Sequence, residues 1–161
     1  TPILNEHDLS FLETRLHILG GSYAVFKDRF FIPAVEHFRL VYETPEERTL
    51  FGKNFPTFRV FEAVPGARIL LNRALSDDAT LELLLTTKTG KRFFYRSLIH
   101  EGQNTFTVPY STDSQNGTIS TSSAYRLLQG THVSFFQVTE KDVVKGKTVF
   151  VTPLTSSRGS H

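Results

Sequence analysis

The sequence of 161 residues contains no cysteine, no methionine and no tryptophan. The absence of cysteine excludes disulfide bonds, a cysteine nucleophile and a thiolate metal site. A chain of this length can still bury roughly two thirds of its unfolded surface, so no disulfides are required for a stable core. We therefore expect one domain, or one domain and a fragment of another.

Strong net charge and long apolar runs are also missing. The formal net charge is +2, and residues of both signs are interspersed. Because no dense block of lysine and arginine is present, we expect no nucleic-acid partner. No apolar run approaches the roughly 20 residues that span a bilayer, and no signal peptide is visible.

Motifs that carry catalysis or metal binding are absent as well. There is no Gly-x-Ser-x-Gly elbow and no Gly-x-x-x-x-Gly-Lys-Ser/Thr phosphate loop. The adjacent acids Asp77–Asp78 and Glu46–Glu47 diverge in a turn or strand, which favours solvated turns over an acid–base pair. We predict no catalytic, cofactor-binding or metal-ligating residue in this chain. The histidines outside the C-terminal tail, none of them four residues apart, are His7, His17, His37, His100 and His132.

One short motif has two readings. Asn116-Gly117-Thr118 is an Asn-x-Thr sequon and so a possible glycosylation acceptor. Asn-Gly is also a favoured hairpin turn, and the surrounding stretch from Ser111 to Gly117 is polar. We favour the turn.

The two ends of the chain indicate a piece of a longer protein. The sequence begins with Thr1 and has no methionine anywhere. Residues 158–161 resemble a linker running into a histidine tag, and we exclude them from the fold as a tag remnant.

The N-terminal residues predict one amphipathic helix. Asn5 and Asp8 are suitable N-cap residues, and Gly20-Gly21 supplies a stop. A helix of about three turns is too short to persist alone in water, so its leucine stripe must dock on the β-rich part or on material outside this chain. The stripe consists of Leu9, Leu12, Leu16 and Leu19. Residues 22–35 contain several apolar side chains without a clean period, and we expect a loop with a docking role.

The remaining residues predict a β-rich fold. Around the central Pro65-Gly66 turn we expect two strands within Phe58–Leu71. We expect a helical turn at residues 44–47 and a loop at residues 49–57. Short strands separated by turn signals predict a mainly β fold, α+β overall, as an antiparallel barrel or sandwich preceded by the helix. The further strands are expected at 36–43, 80–87, 92–99, 105–110, 119–128, 133–138 and 148–151, with a charged turn at 139–146.

An ordered series of segments resembles the C-terminal globular region of archaeal oligosaccharyltransferases, the STT3/AglB family. The upstream Leu12-Glu13-Thr14-Arg15-Leu16-His17 resembles the helix that closes the family's central core. The segments that carry the resemblance are His37–Glu43, Val60–Ala67, Thr89–Tyr95, Val108–Thr112, Val138–Glu140 and Val143–Val149.

The resemblance implies a parent enzyme of several membrane spans. Such an enzyme transfers a glycan from a dolichol-type lipid to asparagine in Asn-x-Ser/Thr sequons, at the extracytoplasmic face, with Mn or Mg. The family's Trp-Trp-Asp-Tyr-Gly motif cannot lie here, because tryptophan is absent. We therefore assign no catalytic residue to this piece, and we expect the membrane and central-core parts of the parent chain to be its partners.

Two functions remain open at this point. The first is a non-catalytic domain that buttresses the catalytic core or modulates acceptor access. On this hypothesis residues 1–50 are the last part of the helix-containing central core, and residues 51–157 form a peripheral β-rich domain. The alternative is a free-standing β-sandwich that binds glycans or serves at the cell surface.

Overall fold

A computed structural model of the chain describes residues 11–26, 30–50, 52–113 and 117–152. Helix α1 spans Leu12–Leu19, and helix α2 spans Glu140–Lys145. The strands in chain order are β1 Ala24–Phe26, β2 Phe30–Ile32, β3 Phe38–Glu43, β4 Glu47–Leu50, β5 Lys53–Pro56, β6 Arg59–Ala63, β7 Ala67–Leu71, β8 Ala79–Thr87, β9 Arg92–Ile99, β10 Thr105–Val108, β11 Ile119–Thr121, β12 Tyr125–Gln129, β13 His132–Phe136 and β14 Thr148–Val151.

The larger sheet has five strands and is organised on β8. Strand β9 pairs antiparallel with β8 along its length, and β11 and β12 share the opposite edge of β8. Strand β13 pairs with β12 at the outside. Along β8, Leu81, Leu83 and Leu85 are buried, so the predicted alternation of this strand is confirmed.

The smaller sheet has three strands in the order β10–β7–β14. Strand β10 lies at the edge, as the adjacent Pro109 predicts, because proline has no N–H to donate to a ladder. Strand β14 pairs parallel with β7. Parallel neighbours need a long crossover connection, and here the whole larger sheet lies between them in the sequence.

One buried core joins the two sheets. Two buried tyrosines connect its parts by hydrogen bonds. The Tyr125 hydroxyl donates to the Tyr110 carbonyl over 2.8 Å, and the Leu40 N–H donates to the Tyr110 hydroxyl over 2.8 Å. Burial raises the pKa of the Tyr110 and Tyr125 phenols, which therefore stay neutral. The sheets remain open, so the mainly β prediction is confirmed and the closed-barrel alternative is wrong.

The Pro65-Gly66 turn is where the chain passes from one sheet to the next. The strands predicted on either side of it are present as β6 and β7, and Gly66 has φ +75°. These strands do not pair with each other. Strand β6 pairs with β3, whereas β7 lies at the centre of the three-stranded sheet.

Several local predictions are wrong. The helical turn expected at 44–47 and the loop at 49–57 are replaced by the β4–β5 hairpin. Residues 22–35 contain the β1–β2 hairpin. The single strand expected at 119–128 is divided into β11 and β12. The charged turn at 139–146 is helix α2, which begins with a Thr139–Asp142 capping box.

Helix α1 ends as predicted and begins differently. Gly20 terminates it in the left-handed conformation, with φ +61°. Its N-cap is Phe11, which makes no side-chain capping hydrogen bond. The proposed caps Asn5 and Asp8, with Leu9 of the stripe, lie outside the described residues.

The proposed division at residue 50 stays a prediction. Across the described ranges, no helix is long and apolar enough to cross a membrane.

Candidate functional site

An open groove separates helix α1 from the β3–β6 pair. Its volume is about 350 Å³, and no residue of α1 is buried. Leu12 lies four residues before Leu16 and therefore extends the same apolar stripe, but it is 39% exposed. The leucine stripe is thus only partly covered within this chain. The groove is lined by Glu13, Leu16, His17, Phe38, Arg59 and Phe61.

Arg59 of β6 connects the helix to the β-rich part. Its Nε donates to Glu43 Oε2 over 2.9 Å, and its Nη1 donates to the His17 carbonyl over 2.6 Å. The side chains of Arg59 and Glu43 are only 8% and 4% exposed. The guanidinium also lies over the Phe93 ring. A cation at the C-terminal end of a helix is electrostatically favourable, so Arg59 fixes that end of α1.

The same surroundings affect the neighbouring imidazole. Burial is the main cause that lowers the pKa of the His17 imidazole. The positive charge of Arg59 lowers it further, and the negative charge of Glu43 opposes the shift. The neutral imidazole is therefore favoured at the groove.

Two further hydrogen bonds attach the N-terminal residues. Arg15 Nη2 donates to the Pro33 carbonyl over 2.7 Å, and the Val35 N–H donates to the Gly21 carbonyl over 2.8 Å. Ser22 and Tyr23 bond along the outer edge of β9. The segment predicted to have a docking role thus covers a sheet edge.

Large apolar side chains nevertheless remain exposed near the N-terminus. Val25 is 57% exposed and Phe31 is 37% exposed. Phe11 and Leu12 are 48% and 39% exposed. We call these four side chains the N-terminal apolar set. Single exposed apolar residues are ordinary in soluble proteins, whereas an exposed apolar residue that continues the stripe of a helix beside an open groove, as Leu12 does, is typical of a contact surface.

A second ion network joins α2 to the β3–β6 pair. Arg39 makes a two-point contact with Glu140, at 2.8 and 2.7 Å, and its Nε donates to Glu62. Ser111 donates to the same Glu140 carboxylate over 2.8 Å. The hydrogen bond from Arg39 is the main cause that lowers the pKa of Glu140. This network has a structural role, because every charged group in it has a partner.

The candidate histidines are dispersed over the fold. His37 contacts the Pro65 carbonyl, while His100 lies 3.6 Å from Asp78 and against the Phe31 ring. His132 lies on β13, and His7 lies outside the described residues. In the parts of the chain that the structure describes, no three acids or histidines are grouped to hold a metal ion.

The paired acids occupy structural positions. The Asp78 carboxylate accepts the Glu101 N–H, and Glu47 pairs with Lys91 over 3.1 Å. The Asn116 side of the sequon lies outside the described residues. The Thr118 hydroxyl donates to the Val41 carbonyl.

Residues 66–149 match the family described as the archaeal glycosylation protein B long peripheral domain. This chain belongs to that family. The matched residues of the peripheral domain begin at the Pro65-Gly66 turn and include β7 to β13, α2 and the start of β14. Helix α1, the groove and the whole N-terminal apolar set lie before them.

The peripheral domain also has the fold seen in solved structures from Archaeoglobus fulgidus. One is the oligosaccharyltransferase AglB in complex with an inhibitory peptide and a dolichol-phosphate, with a TM-score of 0.71 at 15% identity. Another is the oligosaccharyltransferase in complex with Zn and sulfate, with a TM-score of 0.72 at 15% identity. Each likeness covers 92% of this chain and 23% or 25% of the other. This chain thus spans about a quarter of the length of those chains. No curated protein matches the sequence.

Sequence reasoning missed the ion pairs that organise this domain. Glu43 and Arg59 appear as ordinary alternating charges on two strands, and Glu140 appears as part of a charged turn. Only the cross-strand register that places Glu43 opposite Arg59 reveals the pair. The strand predictions place both residues on strands but do not supply that register.

Proposed function

We propose that this chain is a non-catalytic peripheral domain of a membrane oligosaccharyltransferase. The parent enzyme would transfer a lipid-linked glycan to asparagine in Asn-x-Ser/Thr sequons. The family match over residues 66–149 supports the assignment to a glycosylation protein. The structural likeness to chains about four times as long supports a part played within a larger protein.

The observation that supports a buttressing role is the incomplete cover of α1. A short helix with no buried residue has little reason to be stable without a further partner. Leu12 of α1 is exposed, and residues of the same helix line the groove of about 350 Å³. We infer that the central-core part of the parent contacts this side. The alternative, a modulating effect on acceptor access, would use the same contact.

In this proposal the rest of the parent chain carries out catalysis and crosses the membrane. It would also bind the divalent metal, Mn or Mg. The described residues offer no acid or histidine group that fits a metal ion. One of the similar structures contains Zn and sulfate, which supports metal binding by that protein. The parent would act at the extracytoplasmic face, on a dolichol-linked glycan and an acceptor protein.

The complete gene tests this assignment. We expect several apolar runs of about 20 residues upstream of Thr1, followed by a Trp-Trp-Asp-Tyr-Gly segment. DNA sequencing of the locus supplies the measurement. A start codon or a signal peptide directly ahead of Thr1 would contradict the proposal and would favour the free-standing binding module.

A further inference from the structure

A polar pocket lies on the β9–β10 side of the domain and shares no lining residue with the groove at α1. Its volume is about 330 Å³, which is at the lower end of the range of about 300–1,000 Å³ for small-ligand pockets. It is therefore large enough for a single small ring. The walls used in the argument come from Glu36, Ser97, Gln103, Thr107, Phe31 and His100.

Several polar groups of this pocket make no hydrogen bond to another described residue. Ser97 is only 5% exposed and lines the pocket, yet no described residue bonds to its hydroxyl. Among the same residues, none bonds to the Glu36 carboxylate or to the Gln103 amide nitrogen. Buried polar groups are normally hydrogen-bonded. A hydroxyl of a buried residue that lines a cavity beside an unpaired carboxylate therefore indicates a place for a hydrogen-bonding ligand.

The surroundings of Glu36 agree with this reading. Burial, opposed by the charge of His37, raises the pKa of the Glu36 carboxyl. The Tyr95 hydroxyl, two residues before Ser97 on β9, is buried and has no hydrogen-bond partner. Burial is the main cause that raises the pKa of Tyr95, followed by Tyr110 and then Glu36. The Glu36 charge therefore acts on a buried hydroxyl that has no hydrogen-bond partner among the described residues.

The hydrogen-bonding side chains that line the pocket indicate the class of ligand that would bind there. Glu36 offers only acceptors, Gln103 offers amide donors, and the hydroxyls of Ser97 and Thr107 offer both. An anion would be repelled by Glu36, and a metal ion would find a single carboxylate. A ring that carries several hydroxyl groups satisfies donors and acceptors together.

One wall of the pocket is aromatic. Phe31 is 37% exposed and is held by edge contact with His100, at a centroid distance of 5.6 Å. A flat apolar ring can pack against the C–H face of a sugar while the polar groups bind its hydroxyls. We propose that this pocket binds a single neutral sugar ring, with Glu36 as the principal acceptor. This proposal rests on the pocket alone and is independent of the proposed transferase.

Titration of the 161-residue chain with D-glucose, D-mannose and N-acetyl-D-glucosamine tests the proposal. Amide NMR shifts should report the binding, with sorbitol as the open-chain control. For at least one sugar we expect saturable shifts at Ser97, Gln103 and Thr107, with a dissociation constant on the order of millimolar. Because charge-assisted hydrogen bonds are the stronger kind, Glu36→Gln should weaken this binding about tenfold. Ser97→Ala should weaken it about threefold.

Glu46→Gln is the matched control, since Glu46 is an exposed acid on the distant β4 side. It should leave the affinity unchanged. We do not expect Glu36→Gln to unfold the protein. Because the pKa of the Glu36 carboxyl is raised in the folded state, the ionised carboxylate makes the free energy of unfolding fall as the pH rises above the ordinary value of 4.5. The neutral glutamine should therefore melt no lower than the parent at pH 7. The proposal is overturned if no sugar gives saturable shifts at the pocket up to about 100 mM, if sorbitol binds equally, or if Glu36→Gln binds unchanged.

Discussion

Replacing Gly66 by alanine is expected to lower the free energy of unfolding by about 4 kcal/mol, because two costs combine. Gly66 has φ +75°, where a side chain is disfavoured by about 1–2 kcal/mol. An added Cβ would also lie 2.6 Å from Thr107 Cγ2 and 3.1 Å from the Glu36 and Val108 carbonyl oxygens. The Val108 carbonyl belongs to β10, so it cannot move without disturbing the smaller sheet. Urea unfolding followed by circular dichroism measures the loss.

Gly90→Ala is the matched control for this prediction. Gly90 has φ +84° in the β8–β9 loop, and nothing lies within 4 Å of an added Cβ. The Gly90→Ala variant should therefore lose only the conformational cost, about 1–2 kcal/mol. If both variants lose the same free energy of unfolding, the close packing around Gly66 does not contribute to the cost, which would contradict the prediction.

Removing the Arg59 side chain is expected to cost about 3–5 kcal/mol, the usual range when one partner of a buried ion pair is lost. Arg59→Ala would leave Glu43, only 4% exposed, without its main cation. It would also remove the donor to the His17 carbonyl and so release the end of α1. Urea unfolding gives the total effect, and amide hydrogen exchange of residues 12–19 reports the release of the helix.

Lys91→Ala is the control for the loss of a cation near Glu43. Its ammonium lies 3.9 Å from Glu43, and its side chain is 39% exposed, so the cost should stay below about 1 kcal/mol. The double variant Glu43→Leu/Arg59→Met should be less destabilised than Arg59→Ala, because no unpaired charge remains buried. A double variant that is less stable than Arg59→Ala would contradict this assignment of the cost.

Local patterns predicted the parts of the fold that neighbouring residues determine. The β8–β9 pair follows from alternating leucines and a short Lys88–Lys91 loop, and both strands are observed at or within one residue of the expected bounds. The parallel pairing of β14 with β7 was not predictable, because no local signal links residues so far apart. The β4–β5 hairpin was missed because all four residues of β4 are exposed, so no apolar alternation marks it.

The candidate sites were harder to predict from the sequence than the fold was. The groove at α1 was partly anticipated, since a three-turn leucine helix needs a partner. The pocket at Glu36 was not anticipated at all. A lone acid before a strand and a serine on another strand have no diagnostic spacing, and only their meeting in the folded chain distinguishes them.

The central claim is that the α1 side of this domain contacts the rest of an oligosaccharyltransferase. The most direct measurement is glycan transfer to an Asn-x-Thr peptide by the product of the complete gene, with Leu12→Glu compared with Val144→Glu. Both changes place a glutamate at an exposed apolar position of a helix, 39% and 49% exposed. Near a helix N-terminus the new charge is tolerated, so the isolated 161-residue chain with Leu12→Glu should unfold within about 0.5 kcal/mol of the parent.

We expect Leu12→Glu to lower transfer about tenfold, since a charge buried without a partner in an apolar contact is costly. Val144→Glu, on helix α2, should leave transfer unchanged. Equal transfer by the parent and both variants would contradict the contact at α1. A complete gene product without any transfer would contradict the assignment to an oligosaccharyltransferase.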